Sequence, residues 1–162
     1  TRTHNSRRRL RRKCWWSGYF DVKPQKMRAI QLDPIAVPFR DDAVKVVGVR
    51  WSDSGATVID LVSKRSGRRG RVEFQDDAGL RILGELDLAS MWMGGDPATL
   101  KETWMFEVHA GGWLELESTR EDFYTKHEPP IREFLIAGYQ ECVSVFSRLG
   151  PTVVEVVGAS DV

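Results

Sequence analysis

Residues 44–63 read VKVVGVRWSDSGATVIDLVS, and this stretch decides the fold. Two runs rich in Val, Ile and Trp flank Asp53-Ser54-Gly55, which is typical of two strands joined by a three-residue loop with Gly in the left-handed conformation. Such a loop places apolar side chains opposite one another on one face of the hairpin. The predicted pairs are Trp51 with Thr57, Val49 with Ile59, and Val47 with Leu61. We therefore expect an antiparallel hairpin with Trp51 in the core.

The rest of the chain repeats this pattern of short β-rich runs that are separated by Gly and Asp turns. Two stretches favour helices, 85–92 and 119–127, and Thr119 is a suitable N-cap for the second. The predicted fold class is mainly β (α+β), an antiparallel hairpin meander of about 8–9 strands with one or two short helices. The predicted strands are 44–51, 56–63, 70–75, 80–86, 103–109, 113–118, 133–138, 142–147 and 152–157.

A second hairpin is predicted around Ala110-Gly111-Gly112, where a three-residue loop again matches the apolar pattern. One face should bury four apolar side chains together: Phe106, Val108, Leu114 and Leu116. The opposite face collects a histidine, a tryptophan and three acids: His109, Trp113, Glu107, Glu115 and Glu117. Glu107 would lie directly opposite Glu115, and like charges in that position are unfavourable.

Three explanations of this acidic face remain open. Arg or Lys side chains of the same chain neutralise it, or it binds a basic partner, or it is a metal-binding or catalytic carboxylate cluster. An outward-facing Trp113 beside the acids would suit a recognition anchor, because Trp supplies a large contact area at a small entropic cost; cover by residues 119–130 is the alternative. The candidate partner-binding residues are Glu107, His109, Trp113, Glu115 and Glu117.

The charge is divided unevenly along the 162-residue chain. Residues 1–28 hold ten Lys or Arg and one acid, a net charge of +9, whereas residues 29–162 hold fourteen basic and twenty-two acidic residues, a net charge of −8. We expect residues 1–26 to be a basic arm that is disordered or a non-native extension, because residues 1–13 have almost no apolar content and the composition changes at Met27. A chain of this length favours one globular domain, placed at 27–162.

A second basic cluster lies in a predicted hairpin loop, with five positive charges in eight residues. Such a cluster can bind phosphate groups, although a soluble loop tip is the simpler interpretation. The absence of an interleaved aromatic residue argues against stacking of single-stranded bases. The candidate nucleic-acid-binding residues are Lys64, Arg65, Arg68, Arg69 and Arg71.

The sequence holds no phosphate-binding loop, dinucleotide fingerprint, zinc-protease helix or serine-nucleophile elbow. Cys142 alternates with apolar residues in a predicted strand, so we expect a buried thiol rather than a nucleophile that acts with His109. Glu85 and Asp87 are expected to form a solvated polar edge. We therefore expect no cofactor and no metal site, and we place an enzyme third among the functions.

No run approaches the ~18 apolar residues of a membrane span, so no membrane partner is expected. The residues after the basic start of the chain are too polar for a signal peptide, which favours a cytoplasmic location. Two cysteines are too few for a disulfide scaffold.

Two stretches carry a resemblance to known proteins: residues 111–117, GGWLELE, and residues 134–145, FLIAGYQECVSV. With them, the region from about Met27 to Val157 resembles small bacterial proteins, some of which are similar to immunity proteins encoded beside polymorphic toxins. The resemblance implies a compact toxin-binding or partner-binding domain with no catalytic residue.

The first functional hypothesis is a non-enzymatic cytoplasmic protein-binding domain, and its most specific form is an immunity protein that neutralises a basic toxin. An acidic body suits such a partner, because complementary charge speeds association. The alternative is a nucleic-acid-binding protein that uses the basic arm and the 64–71 loop.

Overall fold

The computed structural model of the chain describes residues 29–40, 44–89, 93, 97–101, 103–128 and 130–157. The basic arm expected over 1–26 lies outside these residues. The described strands are β1 (Gln31–Pro34), β2 (Val44–Trp51), β3 (Thr57–Ser63), β4 (Arg69–Phe74), β5 (Asp77–Gly84), β6 (Met105–Ala110), β7 (Arg132–Ile136), β8 (Glu141–Ser147) and β9 (Thr152–Val156). The helices are α1 (Pro97–Leu100) and α2 (Trp113–Ser118), with single 3₁₀ turns at Glu85–Leu88 and Tyr124–His127.

The strands form two antiparallel sheets. The five-stranded sheet has the order β1-β6-β7-β8-β5, and the four-stranded sheet has the order β2-β3-β4-β9. Sequential strands pair in β2-β3-β4 and in β6-β7-β8, because short turns join antiparallel neighbours. The predicted mainly β, antiparallel fold is confirmed.

The two sheets face each other across a shared apolar core. The four-stranded sheet contributes Ile59 and Phe74, and the five-stranded sheet contributes Phe134 and Val145. Trp104 is buried, and its indole Nε1 donates a hydrogen bond to the Phe39 carbonyl oxygen at 2.9 Å. Since alternate residues of a strand face opposite sides, the charged positions of β2, β3 and β4 point away from this core.

The β2–β3 hairpin confirms most of its predicted register. The confirmed pairs are Trp51 with Thr57 and Val49 with Ile59. Gly55 has a φ of 74°, the left-handed conformation that the three-residue loop requires.

Two details of that hairpin were predicted wrongly. A β-bulge between Val46 and Gly48 places Val46 opposite Leu61, so Val47 is not the partner of Leu61 and is 52% exposed. Trp51 is 62% exposed rather than in the core, because it is the last residue of an edge strand.

The predicted strand 113–118 is wrong, since these residues form helix α2. β6 therefore pairs with β1 and β7 instead of forming a hairpin with 113–118. Phe106 and Val108 are buried as expected, but Leu114 is half-buried and Leu116 is 49% exposed. The four apolar side chains consequently do not share one hairpin face.

The predicted helices are shorter than expected. Only Tyr124–His127 is helical within 119–127, and Thr119 is the C-cap of α2 rather than an N-cap. Within 85–92, Glu85–Leu88 is a 3₁₀ turn, whereas residues 90–92 lie outside the described residues. The short strand β1 was not predicted from the sequence.

Candidate functional site

The start of helix α2 is held by a buried carboxylate from β7. Glu133 is 1% exposed, and its two oxygens accept hydrogen bonds from the main-chain N of Trp113 at 3.1 Å and of Leu114 at 2.7 Å. These N–H groups have no partner within the helix, because the first turn of any helix lacks acceptors. Gly112, the N-cap, lies so close to Glu133 that a Cβ there would approach Oε2 to 2.5 Å. A glycine at this position therefore allows the carboxylate to reach the helix.

Arg81 of β5 places a positive charge near Glu133. Burial raises the pKa of Glu133, while the two main-chain hydrogen bonds and the charge of Arg81 act in the opposite direction. Burial likewise lowers the pKa of Arg81, against the attraction of Glu133 and Glu117. The Arg81 guanidinium lies over the Trp113 ring, 4.8 Å from its centroid. This part of the acidic region is thus a packed internal network.

Glu107 has a partner on the neighbouring strand. Its carboxylate forms a bidentate pair with Arg132, with N–O distances of 2.8 and 2.5 Å. Hydrogen bonding to Arg132 lowers the pKa of Glu107, so this carboxylate is ionised at neutral pH. Glu107 and Glu115 do not face each other, because Glu115 belongs to α2 rather than to a paired strand.

Trp113 and Glu117 lie one helical turn apart and contact each other. The Trp113 indole donates to Glu117 Oε1 at 3.0 Å, and Arg120 donates to Oε2 at 2.8 Å. These hydrogen bonds, first that of Trp113 and then that of Arg120, lower the pKa of Glu117. The Trp113 ring stacks on Phe146, with centroids 3.9 Å apart. Trp113 is half-buried, and the residue that its ring contacts belongs to β8 rather than to residues 119–130.

His109 and Glu115 border a cleft between β1, β6 and α2. The His109 Nε2 lies 2.8 Å from Asp33 Oδ2, and both side chains are exposed. Glu115 Oε2 accepts a hydrogen bond from the main-chain N of Gly111 at 2.8 Å. Gly111 has a φ of 72°, and this left-handed turn directs the chain from β6 into the helix.

Two cavities of about 380 Å³ each meet at His109. The first is lined by Val108, His109, Ala110, Gly112, Leu114, Glu115, Ser118 and Glu133. The second is lined by Ile30, Gln31, Leu32, Asp33, Thr99 and His109. We call these two cavities the His109 cleft. Its walls carry three carboxylates and, among the described lining residues, no Lys or Arg.

The structure separates the five predicted partner-binding residues into two groups. His109 and Glu115 line the His109 cleft, whereas Glu107, Trp113 and Glu117 are engaged in contacts outside it. Asp33 and Glu133 were missed from the sequence. Glu133 left one signal, a single acid at the start of the apolar run 134–136. No sequence pattern indicated Asp33, because strand β1 itself was not predicted.

The basic loop is partly neutralised by carboxylates. Arg68 binds Glu155 through two hydrogen bonds of 2.7 and 2.6 Å, and Arg71 binds Asp60 at 2.8 Å. Lys64 lies over the ring of Tyr139, 3.2 Å from its centroid. In the described part of the chain, Arg65 and Arg69 are exposed and no carboxylate lies within ion-pair distance of either.

The described side chains include no group of three or more His, Cys, Asp and Glu that could hold a metal ion. Among the described helices, none is long and apolar enough to cross a membrane. Comparisons with protein-family models, curated proteins and solved structures find no match for this chain.

Proposed function

We propose that this protein is a non-enzymatic protein-binding domain that accepts basic side chains of its partner in the His109 cleft. The observation that carries the proposal is the lining of that cleft, which holds Asp33, Glu115 and Glu133 and, among its described residues, no Lys or Arg. A concave acidic wall favours Lys or Arg, because opposite charges attract most strongly where water is partly excluded.

The roles of the carboxylates favour binding over catalysis. Glu133 uses both oxygens to hold α2, and Glu115 holds the turn at Gly111. Asp33 is the most exposed of the three, with 73% of its side chain accessible, and it is the group best placed to meet an incoming cation. We therefore assign Asp33 and His109 to first contact and Glu115 to the electrostatic field of the cleft, since Glu133 is engaged with α2 and Arg81.

The partner that we propose is a basic protein, and a toxin is the specific case implied by the resemblance to immunity proteins. Residues 29–162 carry a net charge of −8, which would speed association with such a partner. We also propose a cytoplasmic location, since the described cysteine, Cys142, is a free thiol of the kind that persists in a reducing compartment.

The test is a titration of the ¹⁵N-labelled full chain with a tri-arginine peptide, followed by NMR. We expect concentration-dependent shifts at the amides of Asp33, His109 and Gly111. Asp33→Asn keeps an oxygen that can accept a hydrogen bond from His109 and removes the charge. It should weaken peptide binding about two- to fivefold, the effect of one exposed ion pair.

Asp53→Asn is the matched control, because Asp53 is also an exposed aspartate and lies in the β2–β3 loop. This control should bind the peptide as the wild type does. Equal weakening by Asp33→Asn and Asp53→Asn, or shifts that avoid His109 and Gly111, would show that the cleft is not the binding site.

A further inference from the structure

Positive charge is concentrated in one part of the described chain. Residues 44–73 hold seven basic and three acidic residues, a net charge of +4. Residues 74–162 hold six basic and sixteen acidic residues, a net charge of −10. Strands β2, β3 and β4 therefore form a basic region on an otherwise acidic body.

The strand register places four of the seven cations on the outer face of the four-stranded sheet, namely Lys45, Arg50, Arg69 and Arg71. Lys45 lies opposite Val62, and Val62 lies opposite Arg69, so the two cations flank one valine. Neighbouring strands are about 4.8 Å apart, which separates the two Cα atoms by about 10 Å. Further along the same strands, Arg50 of β2 and Arg71 of β4 both bind Asp60 of β3, at 2.6 and 2.8 Å. Asp60 thus holds two guanidinium groups on the same face.

Three cations of this region have no carboxylate partner among the residues that the structure describes. Lys45, Arg65 and Arg69 are exposed, and none has a carboxylate within ion-pair distance in the described part of the chain. Arg65 belongs to the β3–β4 loop, next to the row that holds Lys45 and Arg69. Three exposed cations that lack a described carboxylate partner and lie near one another suit an extended polyanion more than a single anion.

We propose that the outer face of the four-stranded sheet, with the β3–β4 loop, binds the phosphate backbone of double-stranded nucleic acid. Duplex backbones carry one negative charge per ~1.7 Å of axis, which matches a basic surface of several strands. The outward residues between the cations include four valines, Val58, Val62, Val154 and Val156, and one acid, Glu73, but no aromatic residue. Stacking of unpaired bases requires aromatic side chains, so these valines favour backbone contact without sequence preference.

The test measures binding of a fluorescein-labelled 20-base-pair random-sequence DNA duplex to the full chain by fluorescence anisotropy, between 50 and 200 mM KCl. The face variant is K45Q/R69Q, and the matched control is K101Q/K126Q, which removes the same charge elsewhere. Both variants keep residues 1–28, so any contribution of the basic arm is common to them. Thermal unfolding checks that each variant is folded.

We expect the face variant to bind the duplex about tenfold more weakly at 100 mM KCl. The negative slope of log K against log salt should become shallower by about 2, one for each lost phosphate contact. Arg65→Gln should lower the slope by about 1, and K45R/R69K should restore wild-type binding. The control should bind as the wild type does.

Equal loss in the face variant and the control would overturn the proposal, because net charge or the arm would then explain the binding. Absence of duplex binding by the wild type would overturn it as well. Poly-L-glutamate is the probe that tests whether this face binds an acidic protein instead. If the face variant loses binding to poly-L-glutamate but not to the duplex, this face is a site for acidic proteins and the nucleic-acid proposal is wrong.

Discussion

The carboxylate of Glu133 accepts a hydrogen bond from the main-chain N of Leu114 at 2.7 Å and thereby ties β7 to helix α2. Helix α2 has only six residues, too few to be stable alone. Its position therefore depends on contacts with the sheet, and Glu133 supplies the contact at its first turn. The walls of the His109 cleft depend on the same contact.

We predict that Glu133→Ala destabilises the protein by about 3 kcal/mol. The change leaves two main-chain N–H groups without acceptors and removes the counter-charge of the half-buried Arg81. For a protein of this size, the melting temperature should fall by about 6–12 °C. Glu133→Gln, which keeps one accepting oxygen, should have a smaller effect. A loss below about 1 kcal/mol for Glu133→Ala would show that α2 is held by other contacts.

Substitution of Gly112 gives a second test of the contact between β7 and helix α2. A Cβ at this position would approach Glu133 Oε2 to 2.5 Å and Val108 Cγ1 to 2.6 Å, so Gly112→Ala should cost about 1–3 kcal/mol through overpacking. Gly150→Ala is the control, because its Cβ meets nothing closer than 3.8 Å. Chemical denaturation of both variants measures the difference. Equal stability of the two would contradict the close packing at Gly112.

The sequence of α2 shows why this helix was not predicted. Within residues 113–118, the central LELE of 114–117 alternates apolar and polar side chains with the period of a strand, and six residues are too few to establish a helical period. The acceptor that starts the helix is Glu133, which lies 19 residues beyond Leu114. Local patterns do not contain that information, whereas the hairpin at 44–63 carries its turn and both of its strands within twenty residues.

Substitutions of Phe106 and Leu116 distinguish a helix from a strand over residues 113–118. Phe106 is fully buried, so Phe106→Ala should destabilise the protein by roughly 3–5 kcal/mol. Leu116 is 49% exposed on α2, and Leu116→Ala should cost less than about 1 kcal/mol. A paired strand would bury both side chains, so similar losses measured by urea denaturation would favour the strand over the helix.

The candidate site was only partly predictable for a related reason. His109 and Glu115 were identified because they flank a recognisable Gly-Gly turn. The partner of Glu107 is Arg132, 25 residues away, and it is brought into place by the β6–β7 pairing. Whether an acid is neutralised depends on such long-range pairing, which a charge pattern along the chain does not reveal.

The Glu107–Arg132 pair predicts a pH dependence of stability. Arg132 lowers the pKa of Glu107 in the folded protein, so the pair stabilises the fold above the unfolded pKa of about 4.3. That contribution is lost as the pH falls through the lower folded pKa. The wild type should exceed Glu107→Gln in unfolding free energy by about 1 kcal/mol at pH 7, with the difference shrinking below about pH 4. A difference that is independent of pH would show that Glu107 acts only through packing.

We predict that the thiol of Cys142 is alkylated slowly in the folded protein. Burial raises the pKa of its thiol to about 11, and the side chain is 1% exposed. At pH 8 only about one such thiol in a thousand is ionised, and the thiolate is the form that reacts with iodoacetamide. Peptide mass spectrometry should therefore find residue 142 largely unmodified in native protein and fully alkylated in 8 M urea. Equal rates in the two conditions would mean that β8 opens to solvent readily, which its central place between β7 and β5 makes unfavourable.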